Sequence, residues 1–197
     1  MGKRLLDWIA STLGLLVLFP LFLILAVWIK LDSPGPVFFR QERVGRAGEI
    51  FYIHKFRTMV ANAKHLGLQI TVGADVRVTR VGQWLRKYKI DELPQLLDVW
   101  LGHMSLVGPR PEVPRYVACY PEDVRIVVLS VRPGITDKAS IEFKDENEIL
   151  GCALDPHVAY VNEVLPIKLS YYVEYVNSRS FVGDVIIIVN TLRSLIR

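Results

Sequence analysis

The segment Trp8–Ile29, WIASTLGLLVLFPLFLILAVWI, decides how this chain is organised: 22 consecutive residues without a charge in a chain of 197. As one helix it measures roughly 33 Å, just enough for a hydrocarbon core of about 30 Å. Trp28-Ile29-Lys30-Leu31 offers no small-residue cleavage site, so a removable signal peptide is not supported. A spanning helix carries more Lys and Arg on one flank than on the other. Here Lys3 and Arg4 precede the run, and Lys30, Arg40, Arg43 and Arg46 follow it, so both flanks have a cytoplasmic character. Pro20, near the middle, removes one backbone donor and disfavours helical geometry at Phe19. The arms Trp8–Phe19 and Leu21–Ile29 are each long enough to cross about half a bilayer. Two arrangements fit from the residues alone: a re-entrant hairpin broken at Pro20, and a spanning helix that the proline kinks.

Outward from this segment the composition is ordinary. Hydrophobic residues make up 51% and charged residues 22%, which excludes disordered and collagen-like classes. The mean hydropathy of +0.29 therefore reflects the apolar run. The net charge of +4 is uneven: residues 1–115 hold 16 Lys/Arg against 9 Asp/Glu, residues 116–197 hold 8 against 11. A basic front half beside a membrane segment suits a phosphate-rich partner. Cys119 and Cys152 have neither metal-ligand nor redox spacing, which points to a reduced compartment.

The expected fold is α+β and mainly helical: a membrane anchor over residues 1–31 and a cytoplasmic domain over 32–197. Asp32-Ser33-Pro34-Gly35-Pro36 marks the membrane exit. Val37–Arg43 and Ile50–Met59 read as a small β-hairpin around Gly45-Arg46-Ala47-Gly48, with Lys55 and Arg57 on one face. The segment Ala61–Val78 reads as a short helix and loop. Val81–Tyr88 and Leu93–Leu101 read as helices. The stripe Leu93, Leu96, Leu97, Trp100 and Leu101 faces a core or, with Trp100 in it, lies interfacially. Leu106–Pro114 is a proline-rich loop, and Glu112–Leu129 a helical region broken at Pro121. Arg132-Pro133-Gly134 suits a type II turn. Leu165–Val176 and Phe181–Leu195 read as terminal helices, and the apolar last segment suits either a homodimer contact or the membrane surface.

Candidate chemistry lies at Asp91-Glu92, ahead of a helix whose first turn contains Pro94. Asp91 can serve simply as an N-cap. Alternatively, two adjacent carboxylates preceded by Arg86, Lys87 and Lys89 suit phosphoryl transfer, where a divalent ion and basic groups stabilise phosphate charge and a carboxylate can be the nucleophile. In Val107-Gly108-Pro109-Arg110-Pro111 the prolines hold Arg110 ready for a phosphate, or for a local acid such as Glu112. No Walker A, GxGxxG or zinc spacing is present, and His54, His65, His103 and His157 are scattered. A nucleic-acid partner is not expected, because few aromatics interleave with the basic residues.

Together with the anchor and its proline, Lys55-Phe56-Arg57-Thr58-Met59, Asp91-Glu92-Leu93-Pro94-Gln95-Leu96, Gly102-His103-Met104-Ser105-Leu106-Val107-Gly108-Pro109-Arg110-Pro111 and Arg132-Pro133-Gly134-Ile135-Thr136 resemble the bacterial sugar transferase family, the monotopic polyprenyl-phosphate phosphoglycosyl transferases. The chain looks like the small catalytic form. The resemblance implies transfer of a phosphosugar from a UDP-sugar to undecaprenyl phosphate with Mg2+, releasing UMP at the cytoplasmic face of the bacterial inner membrane. It implies Asp91 as nucleophile and metal contact, Glu92 as the second catalytic carboxylate, and a re-entrant helix broken at Pro20 with amphipathic interfacial helices around it. Lys55, Arg57, Arg86, Arg110 and Arg132 are the candidate phosphate-binding residues. The implied partners are the UDP-sugar, the polyprenyl phosphate and the phospholipid membrane.

Three positions depart from the family pattern. Phe19 stands before Pro20 where serine is common, and Asp137–Phe143 replaces the usual segment after Thr136. Tyr172 stands where several members carry an aspartate. The competing function is a catalytically inactive membrane scaffold for glycan-assembly enzymes, with the carboxylates acting only as caps.

Overall fold

The computed structural model describes residues 2–63, 75–142, 150–151, 153 and 155–196. Cys152, His65, Phe143 and most of the segment read as helix and loop over 61–78 lie outside them. Helix α1 (Gly2–Asp32) takes in the whole apolar run, and it continues through Pro20. The expected break is thus not an interruption of the helix. Proline deletes one hydrogen bond and crowds the preceding turn, and a long apolar helix tolerates that loss.

The two sides of α1 differ. Asp7, Ser11, Leu25 and Ile29 are buried, and a Cβ placed on Gly14 would lie 3.1 Å from Leu96 Cδ1. Leu16, Val17, Phe19, Ile24, Val27 and Leu31 are exposed on the outer side. Within each pair the buried positions are four residues apart, so a narrow stripe at each end of the helix rests on the domain. Both ends are fastened to it. Arg4 donates to the carbonyls of Val99 and Trp100 (2.6 and 3.0 Å). Leu25 and Ile29 pack with Phe56, Val81 and Leu85, and Asp32 accepts from the Val81 amide (3.1 Å).

The hairpin pairs β1 (Phe38–Val44) with β2 (Ile50–Phe56), antiparallel, with Val44 opposite Ile50. Alternation along β2 buries Phe51 and Ile53 against Val99 and Met104. Helix α2 (Arg80–Lys87) is capped by Thr79, whose hydroxyl accepts from the Gly82 amide (3.0 Å). Gly82 allows the Thr58 backbone to approach: a Cβ there would stand 2.1 Å from Thr58 O. Helix α3 (Gln95–Leu101) follows. Its expected apolar stripe is not its inner face, since Trp100 and Leu101 are exposed while Gln95, Asp98 and Val99 are buried. The Asp98 carboxylate turns α3 inward by accepting from the His54 amide (2.8 Å) and meeting its Nδ1 (2.8 Å).

Strand β3 (Ser105–Val107) pairs in parallel with β4 (Gly134–Thr136). The turn expected at Arg132-Pro133-Gly134 is therefore a strand entry. Gly134 does not adopt the positive φ of a type II turn and is needed for another reason. A Cβ on it would stand 2.1 Å from Gly108 N. Short helices α4 (Pro114–Val117) and α5 (Glu122–Val128) flank Pro121, and α6 (Lys138–Glu142) follows β4. Helix α7 (Pro156–Ala159) passes through a wider turn at Tyr160–Val164 into α8 (Leu165–Ser178), and α9 (Phe181–Ile196) ends the described chain. The largest core gathers Val113, Tyr116, Val128, Leu165, Leu169 and Tyr172.

Two glycine substitutions separate space from backbone freedom. Gly134→Ala is expected to cost about 2–3 kcal/mol through overpacking of two backbones. Gly48→Ala meets nothing within 4 Å and pays only for its φ of +82°, about 1–2 kcal/mol. Thermal denaturation in detergent gives the ranking, and a smaller loss for Gly134→Ala refutes the close-approach account.

Candidate active site

The site forms where β2, α2, the turn before α3 and the loop after β3 converge. Lys89 adopts a left-handed backbone (φ 55°), a conformation that is strained for a side-chain-bearing residue. The following turn Ile90–Glu92 aims Asp91 and Glu92 in different directions. Asp91 is not the N-cap of α3: it lies inside this turn, and Pro94 flanks the helix.

Glu92 carries the charge balance. Its Oε1 accepts from Lys55 Nζ (2.8 Å), and it makes a second, shorter contact with the Arg110 guanidinium. Burial alone would raise the Glu92 carboxyl, but Arg110 and Lys55 outweigh it and hold it well below the usual range. Burial lowers Lys55, against the pull of Glu92, and Glu92 raises Arg110. Arg110 thus pairs with Glu92 rather than with Glu112. Glu112 instead accepts from Tyr160 and lies 3.6 Å from Arg43 Nη1, which donates to Pro111 O (2.9 Å).

Asp91 is the opposite case. It is 8% exposed, and among the described residues no hydrogen bond or ion pair engages its carboxylate. Burial and then the Glu92 charge push it up to about 6, while Lys55, Arg86 and Lys89 partly offset the rise. Arg86, on α2, donates from Nε to Thr58 Oγ1 (2.8 Å). Among the described residues Lys55, Arg86, Lys89 and Arg110 act on the Asp91–Glu92 pair, while Asp137 also acts on Arg110 and Asp75 on Arg86, and this basic surrounding of Asp91 suits an anionic substrate.

The other two candidate arginines lie elsewhere. The chain leaves β2 at Phe56, so Arg57 does not continue beside Lys55. Its Nη2 donates to Ser33 O (2.6 Å) and Ser33 Oγ (2.9 Å), closing the C-terminal end of α1. Arg132 Nε donates to Gly102 O (2.7 Å), behind α3. Sequence reasoning missed the backbone strain at Lys89 and the Arg43–Glu112–Tyr160 support of the Arg110 loop. Only the prolines around Arg110 hinted at a rigid loop there.

The chain that carries these residues matches the bacterial sugar transferase family over residues 1–197. The chain belongs to that family. Among curated members it is 38% identical, over 98% of this chain and 43% of the relative, to an Aeromonas hydrophila protein named UDP-N-acetylgalactosamine-undecaprenyl-phosphate N-acetylgalactosaminephosphotransferase. It is 37% identical, over 96% of this chain and 38% of the relative, to a Xanthomonas campestris protein named UDP-glucose:undecaprenyl-phosphate glucose-1-phosphate transferase. A Caulobacter vibrioides protein of that same name is 36% identical, over 98% of this chain and 69% of its own length. The chain thus spans about two fifths of the length of the first two relatives. As a family member it carries a long apolar N-terminal helix, which indicates membrane association.

The two carboxylates of this family member are expected to affect stability with opposite signs. The native Asp91 carboxyl near 6 lies above its unfolded value. Its ionised form therefore opposes folding above that pH, and the penalty disappears below the unfolded value. In EDTA at pH 8, Asp91→Asn is expected to raise stability by on the order of 1–3 kcal/mol, a gain that vanishes near pH 4. Glu92→Gln leaves Lys55 and Arg110 uncompensated and is expected to cost about 3 kcal/mol. Equal and same-signed shifts in melting temperature would contradict the assignment.

Proposed function

We propose that the protein transfers a phosphosugar from a UDP-sugar to a polyprenyl phosphate, such as undecaprenyl phosphate, as the first membrane step of surface-glycan assembly. The observation that carries this reading is the unengaged Asp91 carboxylate, set among cations beside a carboxylate that is already neutralised. Family membership and the names of the relatives support the reaction class.

In the first half-reaction an Asp91 oxygen attacks the β-phosphorus of the UDP-sugar. The bond from that phosphorus to the bridging oxygen breaks, UMP leaves with the electron pair, and a phosphosugar-aspartyl acyl phosphate, a mixed anhydride, forms. In the second, an oxygen of the polyprenyl phosphate attacks the same phosphorus. The Asp91 carboxylate is released, and a polyprenyl-diphosphate sugar results. Attack requires the ionised carboxylate, which the raised Asp91 supplies at neutral pH while remaining basic enough to be nucleophilic. Arg86, Lys89 and Arg110 are placed to hold phosphate oxygens as charge shifts, and Glu92 keeps Lys55 and Arg110 in register. In this reading Arg57 and Arg132 serve the frame.

Mg2+ fits this donor set. Among the described residues no three potential ligands gather, but Mg2+ commonly takes one or two carboxylates and completes its shell with substrate phosphates and water. Asp91 is the carboxylate available to it, and bound there the ion would neutralise diphosphate charge.

The domain is proposed to sit on the cytoplasmic face of the inner membrane, with α1 entering and leaving the same leaflet around Pro20. In support, α1 is held by the domain near both ends, and its flanks are basic on both sides. All four tryptophans, Trp8, Trp28, Trp84 and Trp100, are half-exposed on α1, α2 and α3. Trp28, Trp84 and Tyr88 form a ladder with ring centroids 5.3 and 5.1 Å apart. Aromatic rings of this kind settle at headgroup depth. The exposed Phe181, Val182, Val185, Ile186 and Leu192 of α9 are assigned to the same lipid surface.

Purified protein in nanodiscs with Mg2+ is expected to release UMP from at least one member of a UDP-sugar panel. The panel should include the N-acetylgalactosamine and glucose donors in the relatives' names. Asp91→Asn is expected to abolish that release, and an intact rate in it ends the nucleophile assignment. For topology, Gly2→Cys and a cysteine introduced at Ser33 are both expected to react only with a thiol reagent on the cytoplasmic side. Labelling of position 2 from the opposite side would establish a spanning helix.

A further inference from the structure

The second turn of α1 contains a group that a lipid anchor has no use for. Asp7 lies one residue before the apolar run and is only 3% exposed. Its carboxylate accepts from Ser105 Oγ (2.9 Å) and from the Leu106 amide (3.1 Å), both on β3. One turn earlier Lys3 pairs with Asp184, itself buried, on α9. Asp184 also accepts from the Tyr175 hydroxyl (2.9 Å), which lies 3.0 Å from Val107 O. All three residues of β3 are therefore held by the first two turns of the membrane helix, directly or through Asp184 and Tyr175.

Nothing slack separates this grip from the reacting centre. Gly108 N donates to Thr136 O (3.1 Å), and Gly134 N donates to Pro109 O (2.9 Å). Arg110 follows between two prolines and ends on Glu92, the neighbour of Asp91. A shift of β3 relative to α1 is thus a shift of Arg110. If Asp7 served adhesion alone, an apolar pair at positions 7 and 105 would serve as well, because replacing both members of a buried polar pair with well-packed apolar groups is often neutral or stabilising. An ionisable group kept in a membrane-seated helix points to function, with its partner named by the geometry.

We propose that Asp7 is a positioning residue for the phosphoryl-transfer site: by holding Ser105 and Leu106 it makes the seating of the membrane helix set the place of Arg110. The inference rests on the transferase reading above. The Lys3–Asp184–Tyr175 set performs the same task at Val107. Asparagine can keep most of the arrangement, its carbonyl accepting from the Leu106 amide and its amide donating to Ser105 Oγ. Leucine can keep none of it, although it makes α1 more apolar.

The test uses the full chain in nanodiscs and compares wild type, Asp7→Leu, Asp7→Asn and Ser105→Ala. Three quantities are measured: the fraction retained in membranes after a carbonate wash, kcat and KM for UMP release, and hydrogen exchange of the peptide spanning 105–111. Asp7→Leu is expected to stay in the membrane, lose about 10–100-fold in kcat and keep KM for the donor within about threefold. Its 105–111 peptide is expected to exchange faster. Asp7→Asn is expected to recover most of kcat, and Ser105→Ala, which removes one of the two bonds from the other side, to fall between. Wild-type kcat and exchange in Asp7→Leu would overturn the inference. So would an Asn variant no better than Leu, or loss of membrane retention in step with activity. A wild type that releases no UMP from any donor overturns the transferase reading instead, while the exchange comparison still decides whether Asp7 holds the loop.

Discussion

The site depends on one shared carboxylate. Glu92 accepts from Lys55, on β2, and from Arg110, beyond β3, two half-buried cations that would repel each other without it. Its charge is spent on them, and what it has left over acts on Asp91. Two carboxylates adjacent in sequence are driven apart in acidity: Glu92 stays ionised as a structural anion, and Asp91 is held near the point where a carboxylate is still charged but most basic. Divergence between neighbouring titratable groups is how one fold assigns them different roles. The turn Ile90–Glu92, entered through the strained backbone of Lys89, keeps the two from sharing a single proton.

Around this pair the structure supplies rigidity from unexpected quarters. The loop bearing Arg110 is held on one side by Arg43 and Glu112, on another by the parallel β3–β4 pair, which two facing glycines permit. α1 is not an appendage to that frame. It contributes Leu25 and Ile29 to the core with Phe56 and Leu85, Asp32 to the first turn of α2, and Arg4 to the last carbonyls of α3. Withdrawing α1 would uncover apolar surface, leave helix ends unsatisfied and release both helices that flank Asp91.

What was legible in the sequence follows from how local each signal is. The apolar run, the hairpin around Gly45–Gly48, α2 and the two terminal helices each rest on patterning within a short window, and all are present. Lys55, Glu92 and Arg110 come together as motif order suggested, and Arg86 lies beside them. The misreadings have a common cause in contacts distant along the chain. The stripe on α3 left a core and an interfacial setting open, and only the pull of Asp98 toward His54, with Trp100 turned outward, decides between them. Gly134 looked like a turn glycine, because nothing nearby reveals that Gly108 passes 2.1 Å from where its Cβ would be. Arg57 shared the pattern of Lys55 until the strand ended at Phe56 and the C-terminal end of α1 claimed its guanidinium. Pro20 left a break and a kink open, and the helix is continuous through it.

These placements also bear on the nucleophilic role proposed for Asp91. Asp91 lies in the turn that joins α2 to α3, and both helices rest on α1 with aromatic side chains turned outward. A group in that turn is kept close to the plane in which Trp84, Tyr88 and Trp100 settle, which is the depth of a lipid phosphate. A water-soluble sugar nucleotide and a membrane-bound phosphate cannot easily meet in solution. The covalent relay proposed for Asp91 would remove the need for both to occupy the site together, the carboxylate holding the phosphosugar until the lipid phosphate arrives. The requirement that the proposed reaction sets is then modest: a carboxylate near the membrane surface, without an ion pair among the described residues, with cations on either side. The turn between α2 and α3, set on a helix held near both of its ends, meets that requirement by construction.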